Sequence, residues 1–245
     1  MQLPEINDVT NRIAPTINSE EGHEEITVRA GEHGQARADT RVLQVVHKTF
    51  RLATTRMVDA TKNMEPPALK PVIGPFWNFY SAVLHHHHHT EDTKAFPALI
   101  SFRPDMAALV DQLEEDHKKL AAAIDAVHLA MAAFDNQSDR ATQRALHDAL
   151  SALRDHFFAH LDIEDAKVIP ACAEAIPPEV WDRMDNEALK SIPRPYMSKA
   201  VGGLDEVIRS LPEADRPPGP PLPIRVMLAV SWRKKWAEFV RPLSA

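Results

Sequence analysis

Residues 87–97 read HHHTEDTKAFP and residues 160–170 read HLDIEDAKVIP. One pattern, His-x3-Glu-Asp-x-Lys-x2-Pro, therefore occurs twice at an offset of 73 residues. A helix advances about 100° per residue, so a His and a Glu four apart share a face. The pairs are His87 with Glu91 and His160 with Glu164. Each pair is preceded by a lone His on an apolar stripe: His47, 40 residues before His87, and His117, 43 residues before His160. The chain thus reads twice as a helix with His followed by a helix with His-x3-Glu.

Apolar periodicity supplies the helices. A first stripe runs Thr40, Leu43, His47, Phe50, Thr54, Val58 and ends before Pro66-Pro67. Pro71, Gly74 and Pro75 are expected to keep the next stretch irregular. A second helix is expected over about 76–95, closed by Pro97. A third covers about 105–134, with Met106, Val110, Leu113, His117, Leu120, Ile124, His128 and Met131 in line. A fourth covers about 140–169 and stops at Pro170, with Leu146, Leu150, Leu153, Phe157, His160 and Glu164 on one stripe. No alternating strand pattern competes, so the fold expected is all-α, an up-down four-helix bundle over 38–170. Residues 1–37 are polar, acidic and aperiodic, and read as a flexible N-terminal arm. Residues 171–245 read as a Pro-rich helical extension packed on the bundle. Its weak helices start near Pro177 and Ser198, PEADRPPGPPLP is extended, and a basic last helix over 224–240 docks through Trp232 and Trp236.

Composition narrows the function. The formal net charge is −7, which argues against a nucleic-acid partner. A single cysteine, Cys172, excludes an internal disulfide and any cysteine-rich metal site, and fits a reducing cytoplasm. No apolar run reaches the roughly 18 residues that span a bilayer, and the N-terminus MQLPEINDVTNR lacks a signal-peptide pattern. Nothing in the sequence specifies an oligomer.

An up-down bundle brings His47, His87, Glu91, His117, His160 and Glu164 together inside the core. Burying these groups without partners costs several kcal/mol each, and a metal removes that cost. Imidazole with carboxylate suits iron, manganese or zinc. Two bridging carboxylates and four imidazoles supply about eight donors for two six-coordinate metals. With an oxo or hydroxo bridge added, about one position per metal stays open for dioxygen, peroxide or nitric oxide.

In the run His85–His89 only one or two side chains can face the core. The repeat selects His87; the pair His88/Asp92 ranks lower, because Leu161 stands where the second copy would have its equivalent of His88. Tyr80, two turns before His87, is a candidate hydrogen-bond donor to a bound oxygen species, and His156 a candidate fifth nitrogen. His128 lies too far along its helix to share the site; His23, His33 and His147 read as solvated; Cys172 is given no chemistry.

The order H…HxxxE…H…HxxxE, with Glu-Asp and the following Pro, resembles the hemerythrin-like (HHE cation-binding) family. The stretches ADTRVLQVVHKTF, LHHHHHTED and FFAHLDIED and the tail PLPIRVMLAVSWRKKW look like its actinobacterial branch. The resemblance covers about 38–170 well and the tail loosely. It implies a four-helix bundle around a non-heme di-iron centre, with His47, His87, Glu91, His117, His160 and Glu164 as ligands and Glu91 and Glu164 as bridges. Oxygen carriers of the family place a second His four residues after the third-helix ligand; here that residue is Ala121. The missing His weakens a pure carrier and leaves three readings: an oxygen or nitric oxide binder, a di-iron oxidase or oxygenase on a small substrate, and an iron- or oxygen-responsive binding module.

Overall fold

A computed structural model describes residues 37–244. The arm expected over 1–37 lies outside the described residues except for Arg37, whose guanidinium pairs with Glu174 at 3.0 Å. The described residues are all-α. Helix α1 spans Arg41–Asn63 and α2 Pro66–Thr90. A short α3 (Phe96–Phe102) leads to α4 (Ala107–Gln137) and α5 (Arg140–Ile163). Then come α6 (Ile169–Ala175), α7 (Pro178–Ser191), α8 (Arg194–Ser210), α9 (Leu222–Met227) and α10 (Arg233–Val240).

The start of α5 is fixed locally. Asp139 accepts from the backbone N–H of Ala141 and Thr142, and Thr142 returns a bond to the Asp139 backbone, a closed capping box. The start of α2 departs from expectation by ten residues. Pro66 and Pro67 sit in the first turn, where their missing N–H groups cost nothing. Pro71 and Pro75 lie inside the helix, at about 3 kcal/mol each. Leu69, Ile73, Phe76 and Trp77 are all at most 1 % exposed. At about 1.5–3 kcal/mol per buried side chain, they offset the two prolines.

Pro97 and Pro170 do not stop their helices either. Each follows a π-helical turn, Glu91–Ala95 and Glu164–Val168, after which the chain continues as α3 or α6. The wider turn carries the N–H of Phe96 to the carbonyl of Glu91 and that of Ile169 to the carbonyl of Glu164. The repeated Glu-Asp-x-Lys is thus a π turn built twice, a feature frequent at functional sites.

Two apolar clusters fill the interior. The larger holds Phe50, Met57, Phe76, Trp77, Leu84, Leu120, Leu153 and Phe157; the smaller holds Phe96, Leu99, Val110, Leu113, Val168 and Cys172. Along α1 and α4 the chain passes from the smaller cluster to the larger, and along α2 and α5 it passes back. The four long helices therefore alternate in direction. On each of them the change of cluster falls at a His: His47, His87-His88, His117 and His160. A polar layer is held between two apolar ones.

Beyond α6, α8 packs on α1, and α10 packs on α8. Trp236 and Val240 join the larger cluster. Gly202 makes this approach feasible, because a Cβ there would lie 2.7 Å from that of Trp236. The last helix expected over 224–240 runs without a break as α9, a π turn over Leu228–Trp232, and α10. Among the described residues no helix is long and apolar enough to cross a membrane.

Candidate metal centre

His47 comes from α1, His87, His88 and Glu91 from α2 and its π turn, His117 from α4, and His160 and Glu164 from α5 and its π turn. All seven side chains are buried. They form two groups, His47–His87–Glu91–Glu164 and His88–His117–His160. The two carboxylates join them. Glu91 Oε1 lies 3.4 Å from His87 Nε2 and 3.9 Å from His47 Nε2, while its Oε2 lies 3.7 Å from His117 Nε2. Glu164 Oε1 lies 3.3 Å from His160 Nε2, and its Oε2 lies 3.6 Å from His47 Nε2. Each carboxylate spans both groups.

His88 departs from the ranking drawn from the repeat. Of the five consecutive histidines, His87 and His88 are buried, and His85 and His89 are exposed. The His88 ring stacks on that of His117 at 4.2 Å between centroids and lies 5.8 Å from that of His160. Helix α2 thus supplies the imidazole that α4 lacks at Ala121. The one signal for it was angular: adjacent helical residues are about 100° apart, wide enough for His87 and His88 to face different points in one layer.

Two aspartates anchor the arrangement from outside. Asp165 Oδ1 lies 2.7 Å from His47 Nδ1, and Asp92 Oδ1 lies 2.7 Å from His117 Nδ1. Accepting the Nδ1–H turns each Nε2 lone pair inward and raises its basicity. Arg51 holds Asp165 in turn, at 3.1 Å. The sequence pairs Asp92 only with His88 and gives Asp165 no role, although the duplication of both in the repeat is the signal.

The electrostatics describe a site short of positive charge. Burial pulls the His47 imidazole down, but Asp165 at its Nδ1 and the Glu91 and Glu164 carboxylates outweigh this and push it up to about 9. Burial, then the neighbouring Glu164 carboxylate, pushes Glu91 up to about 8. Burial and the surrounding imidazoles hold His87 and His88 well below the ordinary range. Unpartnered polar atoms gather here as well. His47 Nε2, His87 Nε2, His88 Nε2, Glu91 Oε2 and both Glu164 carboxylate oxygens are buried without a hydrogen bond. Orphaned donors of this kind, pointing at one another, fit a bound cation. The residues suit imidazole- and carboxylate-binding metals.

The remaining candidates stand outside the two groups. Tyr80 is buried, with its hydroxyl 2.7 Å from Thr54 Oγ1. His156 is half-buried and belongs to neither group. His128 Nδ1 accepts from Trp77 Nε1 at 3.0 Å. His147 is partly buried rather than free in solvent, its Nδ1 3.1 Å from Thr61 Oγ1. His23 and His33 lie outside the described residues. Cys172 is buried, and burial followed by the two glutamates pushes its thiol up to about 12.

Comparison with known proteins agrees with this geometry. A family model described as the hemerythrin HHE cation binding domain matches residues 38–172, more than half of the chain. No curated protein and no solved structure matches it.

Proposed function

The chain belongs to the hemerythrin HHE cation-binding family, and from that premise we propose that it holds two iron ions and binds or activates dioxygen or peroxide there, with nitric oxide as a further ligand. The observation that carries this reading is the pair of carboxylates, each with oxygens facing both imidazole groups. His47, His87, His88, His117 and His160 would supply nitrogen, and Glu91 and Glu164 would bridge. Bound iron supplies redox chemistry and coordination sites for small oxygen species. The five imidazoles divide two against three, so the His47–His87 side is the less filled. Asp92 and Asp165 hold two rings in orientation through their Nδ1 atoms. Phe50 against His87 and Phe96 against His117, with ring centroids 5.1 and 5.7 Å apart, exclude water. We assign the centre to residues 38–170 and a covering role to the extension, in a cytoplasmic protein with one buried thiol.

A di-iron oxidase or oxygenase is the second reading. It is favoured by an apolar cavity that reaches His87 and Glu91.

Metal analysis of protein produced with iron and kept from affinity-column metals tests the first reading. About two irons per chain are expected, with a charge-transfer band that changes on adding dioxygen, peroxide or nitric oxide. Two manganese ions would replace iron in the proposal. A folded protein that takes up no metal and is indifferent to chelator would end it.

A further inference from the structure

The extension after α6 does more than cover the bundle. Between α1, α2, α7 and α8 it walls a partly open cavity of about 190 Å³, several times the roughly 30 Å³ share of a water molecule. This is more room than dioxygen needs. The lining is almost wholly apolar, with Val46, Phe50, Val83, Met184, Ala188 and Leu204 among its walls. His87 and Glu91 stand in it, on the side of the centre with fewer imidazoles.

Three charged side chains besides Glu91 border the cavity, and they are not equivalent. The Lys94 ammonium is taken by Glu187 at 2.6 Å. The Asp185 carboxyl is half-buried on α7 and is no anion site. Lys199 on α8 makes no ion pair among the described residues; its ammonium lies over the Phe239 ring at 4.0 Å and the Phe79 ring at 5.9 Å. Phe79 and His87 are eight residues apart on α2, so the Lys199 end is about 12 Å along the helix from the centre.

We propose that this cavity binds a medium-length amphiphilic carboxylate, its head group on Lys199 and its apolar chain running along α2 to His87 and Glu91. The proposal rests on the oxidase or oxygenase reading for its purpose, and its binding test is separate from that reading. Lys199 sets the orientation: it is the lining cation without a carboxylate partner among the described residues, and it stands at the end away from the centre. An aliphatic chain matches the walls, since an unpaired polar group within them would forfeit its hydrogen bonds.

Calorimetric titration of the full chain, metal-loaded, with decanoate and with decylamine tests it. Saturable binding of one decanoate per chain is expected, with decylamine at least tenfold weaker. Lys199→Glu should weaken decanoate at least tenfold at unchanged metal content and helicity. Ala188→Trp should abolish binding by filling the cavity. No saturable decanoate binding, or equal binding by wild type and Lys199→Glu, would overturn the proposal. Iron without decanoate binding would defeat the cavity assignment alone. Decanoate binding without iron would uphold the cavity and defeat the di-iron reading.

Discussion

Helix α2 with its π turn and α5 with its π turn carry the same pattern, yet His88 and Leu161, which hold the same place in it, have opposite fates. His88 enters the polar layer and stacks on His117. Leu161 is fully buried in the larger apolar cluster. The environments differ too: His87 and Glu91 border a cavity that His160 and Glu164 do not line. A duplicated helix–π-turn scaffold therefore fixes the placement of His, Glu and the outer Asp, and one side chain sets how many imidazoles each group receives. The unequal division, two against three, leaves the less filled side where a small molecule has room to arrive.

The largest expected effect treats the halves as equals. Glu91→Ala and Glu164→Ala each delete a carboxylate that spans both groups, and each should remove nearly all bound metal by elemental analysis. Retention of one metal per chain would show that the carboxylates serve separate ions. The next pair breaks the equality. Leu161→Ala should lower stability by about 2–5 kcal/mol in denaturant unfolding while leaving metal content intact. His88→Ala should lose about half of the metal at a smaller cost in stability. Unchanged metal content in His88→Ala would restore the ranking drawn from the repeat.

Asp92→Asn and Asp165→Asn should each weaken metal affinity by about 10–100-fold in chelator competition, alike in the two halves. The smallest effect belongs to the cavity beside the first half. Burial, then the Asp182 carboxylate, pushes Asp185 up to about 7, above the ordinary 3.8. The ionised form is the disfavoured one in the fold, so stability is lost as pH rises from about 4 through 7. Asp185→Asn should gain roughly 1 kcal/mol at pH 8, a figure discounted for partial exposure. It should gain nothing at pH 4; thermal unfolding at both values checks this.

Much of this was legible in the residues. The apolar periods place His47, His117 and His160 on buried faces, and the doubled His-x3-Glu brings both glutamates into one layer. The course of the chain at its prolines was not legible. Local propensity stops a helix at Pro71, Pro75, Pro97 and Pro170, whereas tertiary burial carries α2 through the first two and π turns carry the chain past the others. His88 was ranked lower because alignment of the two copies rewards similarity, and His88 is the place where they differ. The cavity was beyond reach, since it depends on how α7 and α8 come back over residues far earlier in the chain.

The roof of that cavity comes from residues 181–204 and is held by Trp236, while every side chain of the centre lies between residues 47 and 164. During synthesis about 70 residues separate Glu164 from the tryptophan that holds the roof. At roughly 5–20 residues per second, several seconds pass between them. The nascent chain therefore carries all of these side chains while their apolar side is still uncovered, and the later helices come over them last.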